Sequence, residues 1–248
     1  MEAAAARGIR RWIVWLLVIA LIATGVMMAI GYARRHPQDL PWTALDLTLP
    51  VGMFTGRKLA ALREDPSLCR RLIGEAGIRF ETLSPRSGGP NCTIGDAVRL
   101  NEGGARRIAL QPGEAGMSCP VAAALSSWEW HIVQPAAARH FASPVESIEH
   151  LGTYSCRRIN GREDAGWSEH ATANAIDIAA FRLADGRRVS ILANWNGSAE
   201  ERAFLREVRD GACRLFATVL SPDYNAAHRD HLHFDQARRG AGGWRGCR

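Results

Sequence analysis

The chain has 248 residues, 47% of them hydrophobic and 23% charged. That is ordinary globular composition with enough length for one well-buried main domain, and no internal repeat or low-complexity tract interrupts it. The formal charge of +6 gathers at the front, where Arg7, Arg10, Arg11, Arg34 and Arg35 stand against Glu2 alone, so the rest of the chain carries only about +2; that balance argues against a nucleic-acid partner, which calls for a basic face or stripe.

Residues 1–11 read as a cytoplasmic N-terminus and 12–33 as a transmembrane anchor. From Trp12 to Ala33 there is no charged residue, and a helix rising about 1.5 Å per residue over that length crosses a hydrocarbon layer of about 30 Å. A removable signal peptide is the competing reading. Its apolar region is usually shorter, about 7–15 residues, and Gly31-Tyr32-Ala33 is a mediocre small-residue cleavage site. Arginines flank both ends, but those preceding a first hydrophobic segment usually hold the N-terminus in the cytoplasm, which puts the body of the protein outside. All six cysteines, Cys69, Cys92, Cys119, Cys156, Cys213 and Cys247, follow the span with no CxxC pair. Their even number and wide spacing predict disulfides formed in an oxidising compartment.

Residues 34–55, with Pro37, Pro41 and Pro50, suit an extended linker, and the folded domain is expected over 56–248. Asp65-Pro66 followed by Leu68, Leu72 and Ile73 predicts an N-cap, a first-turn proline and a helix ending near Gly77. A short strand is expected at Ile78 to Leu83, and loops with short strands from Ser84 to Gly116, stapled by Cys92. Val121, Leu125, Trp128 and Ile132 recur at helical spacing and predict a helix from Pro120 to about Gln134. Strand-like runs follow near Ile148 to Arg158, Ala175 to Leu183 and Arg187 to Asn194, the last two joined by an Asp185-Gly186 hairpin turn. Phe204, Val208, Ala212 and Phe216 predict a second helix from about Ala199 to Leu220. The fold class is α+β, a central antiparallel sheet flanked by helices, with one N-terminal transmembrane helix.

Four of the eight histidines fall in two short segments, Ser168 to Asp177 and His228 to Asp235. Such clustered imidazoles and carboxylates are what a catalytic zinc ion requires: three neutral-imidazole or carboxylate ligands, with one position left for water. On a strand from Ala175 to Leu183, Asp177 shares a face with Ala175 and Ala179 while Ile176 and Ile178 point into the core. His231 and His233, two apart, also share a face.

The first segment resembles the Ser-x-His-x(4)-Ala-x-Asp motif, and the second the closing His-x-His, of zinc peptidases related to D-alanyl-D-alanine carboxypeptidases and penicillin-insensitive murein endopeptidase. That likeness covers mainly the chain from Gly152 onward. The run from Pro41-Trp42-Thr43 through Cys156-Arg157 and Pro222-Asp223-Tyr224-Asn225 to Cys247-Arg248 resembles the bacterial extensin-like C-terminal domain family within that superfamily. The resemblance implies zinc held by His170, Asp177 and His233, with Asp230 or His231 as general base. It further implies that Arg157, or alternatively Arg158, orients a substrate carboxylate or carbonyl through its planar fork of donors. Asp235 and Glu169 are expected to orient a ligand or to lie on the surface. Ala173 stands where the superfamily usually has glycine, and Leu232 where it often has Trp; Asp230 is shorter than the usual glutamate base. The implied protein is a single-pass, bacterial inner-membrane hydrolase whose periplasmic domain acts on peptidoglycan stem peptides or crosslinks. The rival is a noncatalytic, zinc-stabilised module that binds cell-wall peptides or a protein.

Overall fold

The computed structural model of the protein describes residues 2–239 and 244–248. Helix α1 (Glu2–Arg35) leads, and its stretch Arg10–Arg35 is long and apolar enough to cross a membrane and packs against none of the core. A 3-10 turn at Pro37–Asp39 and helix α2 (Thr55–Ala61) follow. The intervening segment, read from its prolines as a free linker, is instead knitted to the domain. Leu45 and Leu47 are buried in the main core, and the Phe54 N–H donates to the Gln38 carbonyl. Alternation in Leu45-Asp46-Leu47 sends both leucines inward, and their burial, about 1.5–3 kcal/mol each, outweighs the freedom of an extended chain.

Asp65 caps helix α3 (Pro66–Glu75) by accepting the Leu68 N–H at 2.9 Å, and Gly77 ends the helix region at φ +75°. Next come β1 (Ile78–Thr82), β2 (Arg86–Ser87), β3 (Thr93–Ile94), β4 (Ala97–Gly104), β5 (Ala109–Gln111) and β6 (Gly116–Ser118). Strands β1, β4 and β6 form a small sheet. Helix α4 (Cys119–Trp128) is buried all round. It widens into a π turn at Glu129–Val133 and continues as α5 (Gln134–Phe141). The helical region therefore outruns its expected end at Gln134, because the π turn lets Pro135 fall in the first turn of the next segment, where its missing N–H costs little. At that turn the fully buried Glu129 accepts Arg106 Nε at 2.9 Å and the N–H groups of Arg107 and Ile108 at 2.7 and 3.0 Å.

The main sheet adds β7 (Val145–Gly152), β8 (Ala175–Leu183), β9 (Arg188–Ser190), β10 (Thr218–Leu220), β11 (Leu232–Asp235) and β12 (Gly246–Cys247), with helices α6 (Ile191–Asn194) and α7 (Ala199–Ala212) between. Its order is β12-β10-β11-β8-β7-β5, with β9 also on β8. The interior pairs are antiparallel, but β12 on β10 and β5 on β7 are parallel, so the sheet is mixed rather than wholly antiparallel. The β8–β9 hairpin turns at Gly186, φ +87°.

Three expected spans are shorter than the sequence suggests. Strand β7 stops at Gly152, φ +128°. Strand β9 stops at Ser190, whose hydroxyl caps α6. Helix α7, opened by a Ser198–Glu201 capping box, ends at Ala212 rather than near Leu220. Phe216 keeps the apolar helical spacing but turns inward to stack on Phe234, ring centroids 4.8 Å apart, and Thr218-Val219-Leu220 pairs with β11 instead. Trp128 locks α4 to α7 through its indole N–H to the Val208 carbonyl at 2.8 Å and packs edge-on against Phe234. The helices thus cover one face of β8 and β11, leaving the other for polar residues. All six cysteines are paired, as Cys69–Cys119, Cys92–Cys156 and Cys213–Cys247.

Candidate metal centre

Strands β8 and β11 pair antiparallel with Asp177 directly opposite His233. Ile176, Ile178, Leu232 and Phe234 alternate with them and are buried in the core, so period-two geometry puts Asp177 and His233 side by side on the opposite face. His170 arrives from a 3-10 turn, Glu169–Thr172, that Ser168 caps and Ala173 closes in the left-handed region at φ +54°. Asn174 braces the turn by donating to Glu169 at 2.5 Å and accepting from Ser118 at 2.7 Å. Glu169, further paired with Arg63 at 3.5 Å, supports the turn and belongs to this brace.

The three side chains converge. His170 Nε2 lies 3.1 Å from both His233 Nδ1 and Asp177 Oδ2, and His233 Nδ1 lies 2.9 Å from Asp177 Oδ1. Their donor atoms form the group among the described residues whose chemistry and spacing suit a metal ion. Each imidazole is fixed from behind. The Thr153 carbonyl sits 3.1 Å from His170 Nδ1, and Asp235 Oδ2 sits 3.2 Å from His233 Nε2. With a proton kept on each of those rear nitrogens, His170 Nε2 and His233 Nδ1 would be the atoms that exchange their contacts to Asp177 for a divalent ion. Zinc ligands at about 2.0–2.1 Å in a tetrahedron stand about 3.3 Å apart, so the observed separations need widen by only a few tenths of an ångström. The donor set fits zinc.

Electrostatics agree. Burial alone would push Asp177 up, but hydrogen bonds and charge from His170 and His233 hold it well below the usual carboxylate range. Burial opposes protonation of His233, yet its bonds to Asp177 and Asp235 raise it to about 9 in the metal-free chain. A buried carboxylate held ionised beside two imidazoles offers a cation a charged ligand already in place.

The other polar residues around the trio divide. His231, just ahead of β11, bonds Asp230 Oδ1 through Nδ1 at 2.9 Å and turns Nε2 toward the site, 3.6 Å from Asp177 Oδ1. Asp230 therefore lies behind the imidazole, and the bond from His231 holds it below its ordinary range. His228 stands next to His231, its Nδ1 on Asn225 Oδ1 at 2.8 Å; burial, then the charges of His231 and His233, lower it to about 4. Arg157 lines the cleft, whereas Arg158 leaves it to stack over Trp167 and bond the Ala165 carbonyl. The cleft has a volume of about 740 Å³, with Trp167, Tyr224 and Trp244 among its walls.

Sequence reasoning missed two kinds of contributor. Thr153 acts through its backbone carbonyl, which leaves no side-chain signature. The aromatic walls come from distant segments that only the fold brings together. Asp235, expected either to orient a ligand or to lie on the surface, is buried and contacts His233 Nε2.

Residues 67–248 match the family described as extensin-like protein C-terminus. No curated protein and no solved structure matches the chain. The family match spans most of the sequence and includes His170, Asp177, His233 and the residues that line the cleft beside them, and the chain belongs to the extensin-like protein C-terminus family.

Proposed function

We propose that this protein is a zinc-dependent hydrolase, anchored in the bacterial inner membrane by α1, whose periplasmic domain cleaves amide bonds in peptidoglycan stem peptides or crosslinks. The observation that carries the reading is the pairing of two elements in one cleft: a buried His170–Asp177–His233 donor set with both imidazoles fixed from behind, and a His231–Asp230 pair turned toward it. The substrate class rests on the likeness to wall peptidases. The apolar α1 and the three disulfides support the placement.

His170, Asp177 and His233 would hold the ion, and zinc there supplies an acidified water and polarisation of the substrate carbonyl. His231 Nε2 takes a proton as water adds to the carbonyl carbon. The same imidazole returns it to the departing nitrogen as the C–N bond breaks, giving a carboxylic acid and an amine, and the acid's proton then passes to the amine to leave a carboxylate and an ammonium group. Asp230 positions His231 by holding its Nδ1 proton. Arg157 offers a forked donor to a substrate carboxylate or carbonyl.

The test is metal analysis combined with a muropeptide digest by the full-length protein. The parent binds zinc and releases product; His170→Ala loses zinc; His231→Ala keeps zinc and loses most turnover. A zinc-loaded parent that binds muropeptides without releasing product would instead support the noncatalytic module. A parent that takes up no zinc from excess metal overturns both.

A further inference from the structure

Among the described residues, the two most exposed large apolar side chains outside α1 are Met53 and Trp42, at 79% and 78%. Both lie in the segment that joins α1 to the domain, and that segment has no slack. The Tyr32 hydroxyl near the end of α1 donates to Asp39 Oδ2 at 2.6 Å, and the His36 ring stacks on Tyr32 with centroids 4.5 Å apart. The other oxygen of Asp39 accepts the Met53 N–H at 2.7 Å, which brings Met53 to the level of the helix end. Trp42 is tethered through its neighbour to the turn that follows α1. Its neighbour Thr43 folds back onto the Leu40 carbonyl at 3.1 Å and the Pro37 carbonyl, and Lys58 in α2 clamps Thr43 at 2.8 Å. Gln38 is already buried in the domain, three residues after Arg35.

We infer that Trp42 and Met53 form a lipid-contact face that mounts the domain rigidly on the outer surface of the membrane crossed by α1. The inference rests on the anchor reading of α1. With the apolar span ending at Ala33, Arg34 and Arg35 fall at the headgroups, and a domain fastened within a few residues of them brings its nearest side chains into an interfacial layer about 5–7 Å thick. Trp is the residue that favours that layer, where its ring meets acyl chains and its N–H meets water. Exposed Arg57 beside the segment, and Arg214, whose guanidinium bonds the Val51 carbonyl, add cationic partners for anionic phospholipid. Asp39, the acidic group nearest Met53, is engaged by Tyr32 and Met53 and so is masked from the lipid.

The mount also reaches the cleft. Helix α2 packs against the C-terminal strip, where a Cβ at Gly56 would collide with Arg245, next to β12 and the cleft wall at Trp244. The cleft is therefore held at a fixed height above the bilayer.

Hydroxyl-radical footprinting of the full chain in phosphatidylglycerol nanodiscs, read by mass spectrometry, tests this. Trp244, 59% exposed, is the same-chemistry control; in solvent the more exposed Trp42 would react at least as fast. The expected result is oxidation of Trp42 and Met53 several-fold slower than that of Trp244, with Met27 and Met28 of α1 protected as well. Protected Met27 and Met28 with Trp42 reacting as fast as Trp244 overturns the mount and leaves the anchor standing. A mature chain that begins beyond Ala33 removes both.

Discussion

His233 and Asp235 sit two residues apart on one strand, and the carboxylate of the second fixes the ring of the first by its Nε2 at 3.2 Å. Asp235 also accepts the Ala237 N–H at 2.9 Å, so it is held in turn. Asp235→Asn would let the ring choose either tautomer. Zinc affinity is expected to fall by about 10–100-fold, as loss of such a partner does elsewhere, with the fold intact. Titration with a chelator of known affinity measures it, and an unchanged affinity would remove Asp235 from the site.

The His231–Asp230 pair is expected to separate metal binding from turnover. His231→Ala should retain zinc and lower kcat by about 10²–10⁴-fold. Asp230→Asn should cost less, because the amide oxygen can still accept from His231 Nδ1 and keep the ring in place. Equal, total loss of zinc in both variants would show that the pair builds the site rather than serves it.

The metal-free protein should have an inverted pH response. A histidine raised from 6.5 to about 9 stabilises the fold fully below 6.5 and loses that contribution as the pH climbs through about 9. Asp177, held below its usual 3.8, adds stability present above that value and lost as the pH falls beneath it. The metal-free Tm is thus expected to decline from pH 6.5 to 9, while zinc binding, which needs neutral His233, tightens over the same window. A flat metal-free Tm there contradicts the assignment.

Glu129→Ala strands the buried Arg106 guanidinium and two backbone N–H groups at the π turn. The expected cost is about 3–5 kcal/mol in denaturant unfolding, the range for breaking one partner of a buried pair. Replacing Arg106 and Glu129 together by methionine should cost less, since no unpaired charge remains.

The convergence of His170, Asp177 and His233 was legible because strand periodicity and motif spacing are local properties. Asp177 between two isoleucines announces its own face, and His170 precedes it by a turn's length. Long-range pairing was less readable. Phe216 satisfied a helical pattern while packing on Phe234, and nothing local marks Thr218-Val219-Leu220 as a strand until β11 lies beside it. Leu45 and Leu47 were overshadowed by flanking prolines. Which of Asp230 and His231 faces Asp177 depends on ring orientation, which spacing does not encode.

Two of the three disulfides guard the cleft rather than the core. Cys92–Cys156 pins the strip that carries Thr153 and Arg157, and Cys213–Cys247 fastens β12 beside β10. Protein produced where thiols stay reduced would keep its helices and central strands, and its circular dichroism would look native. Both flanks of the cleft would nonetheless be slack. An inactive batch of that kind would reflect the oxidation state of its cysteines, and refolding under an oxidant should come before the chain is judged inert.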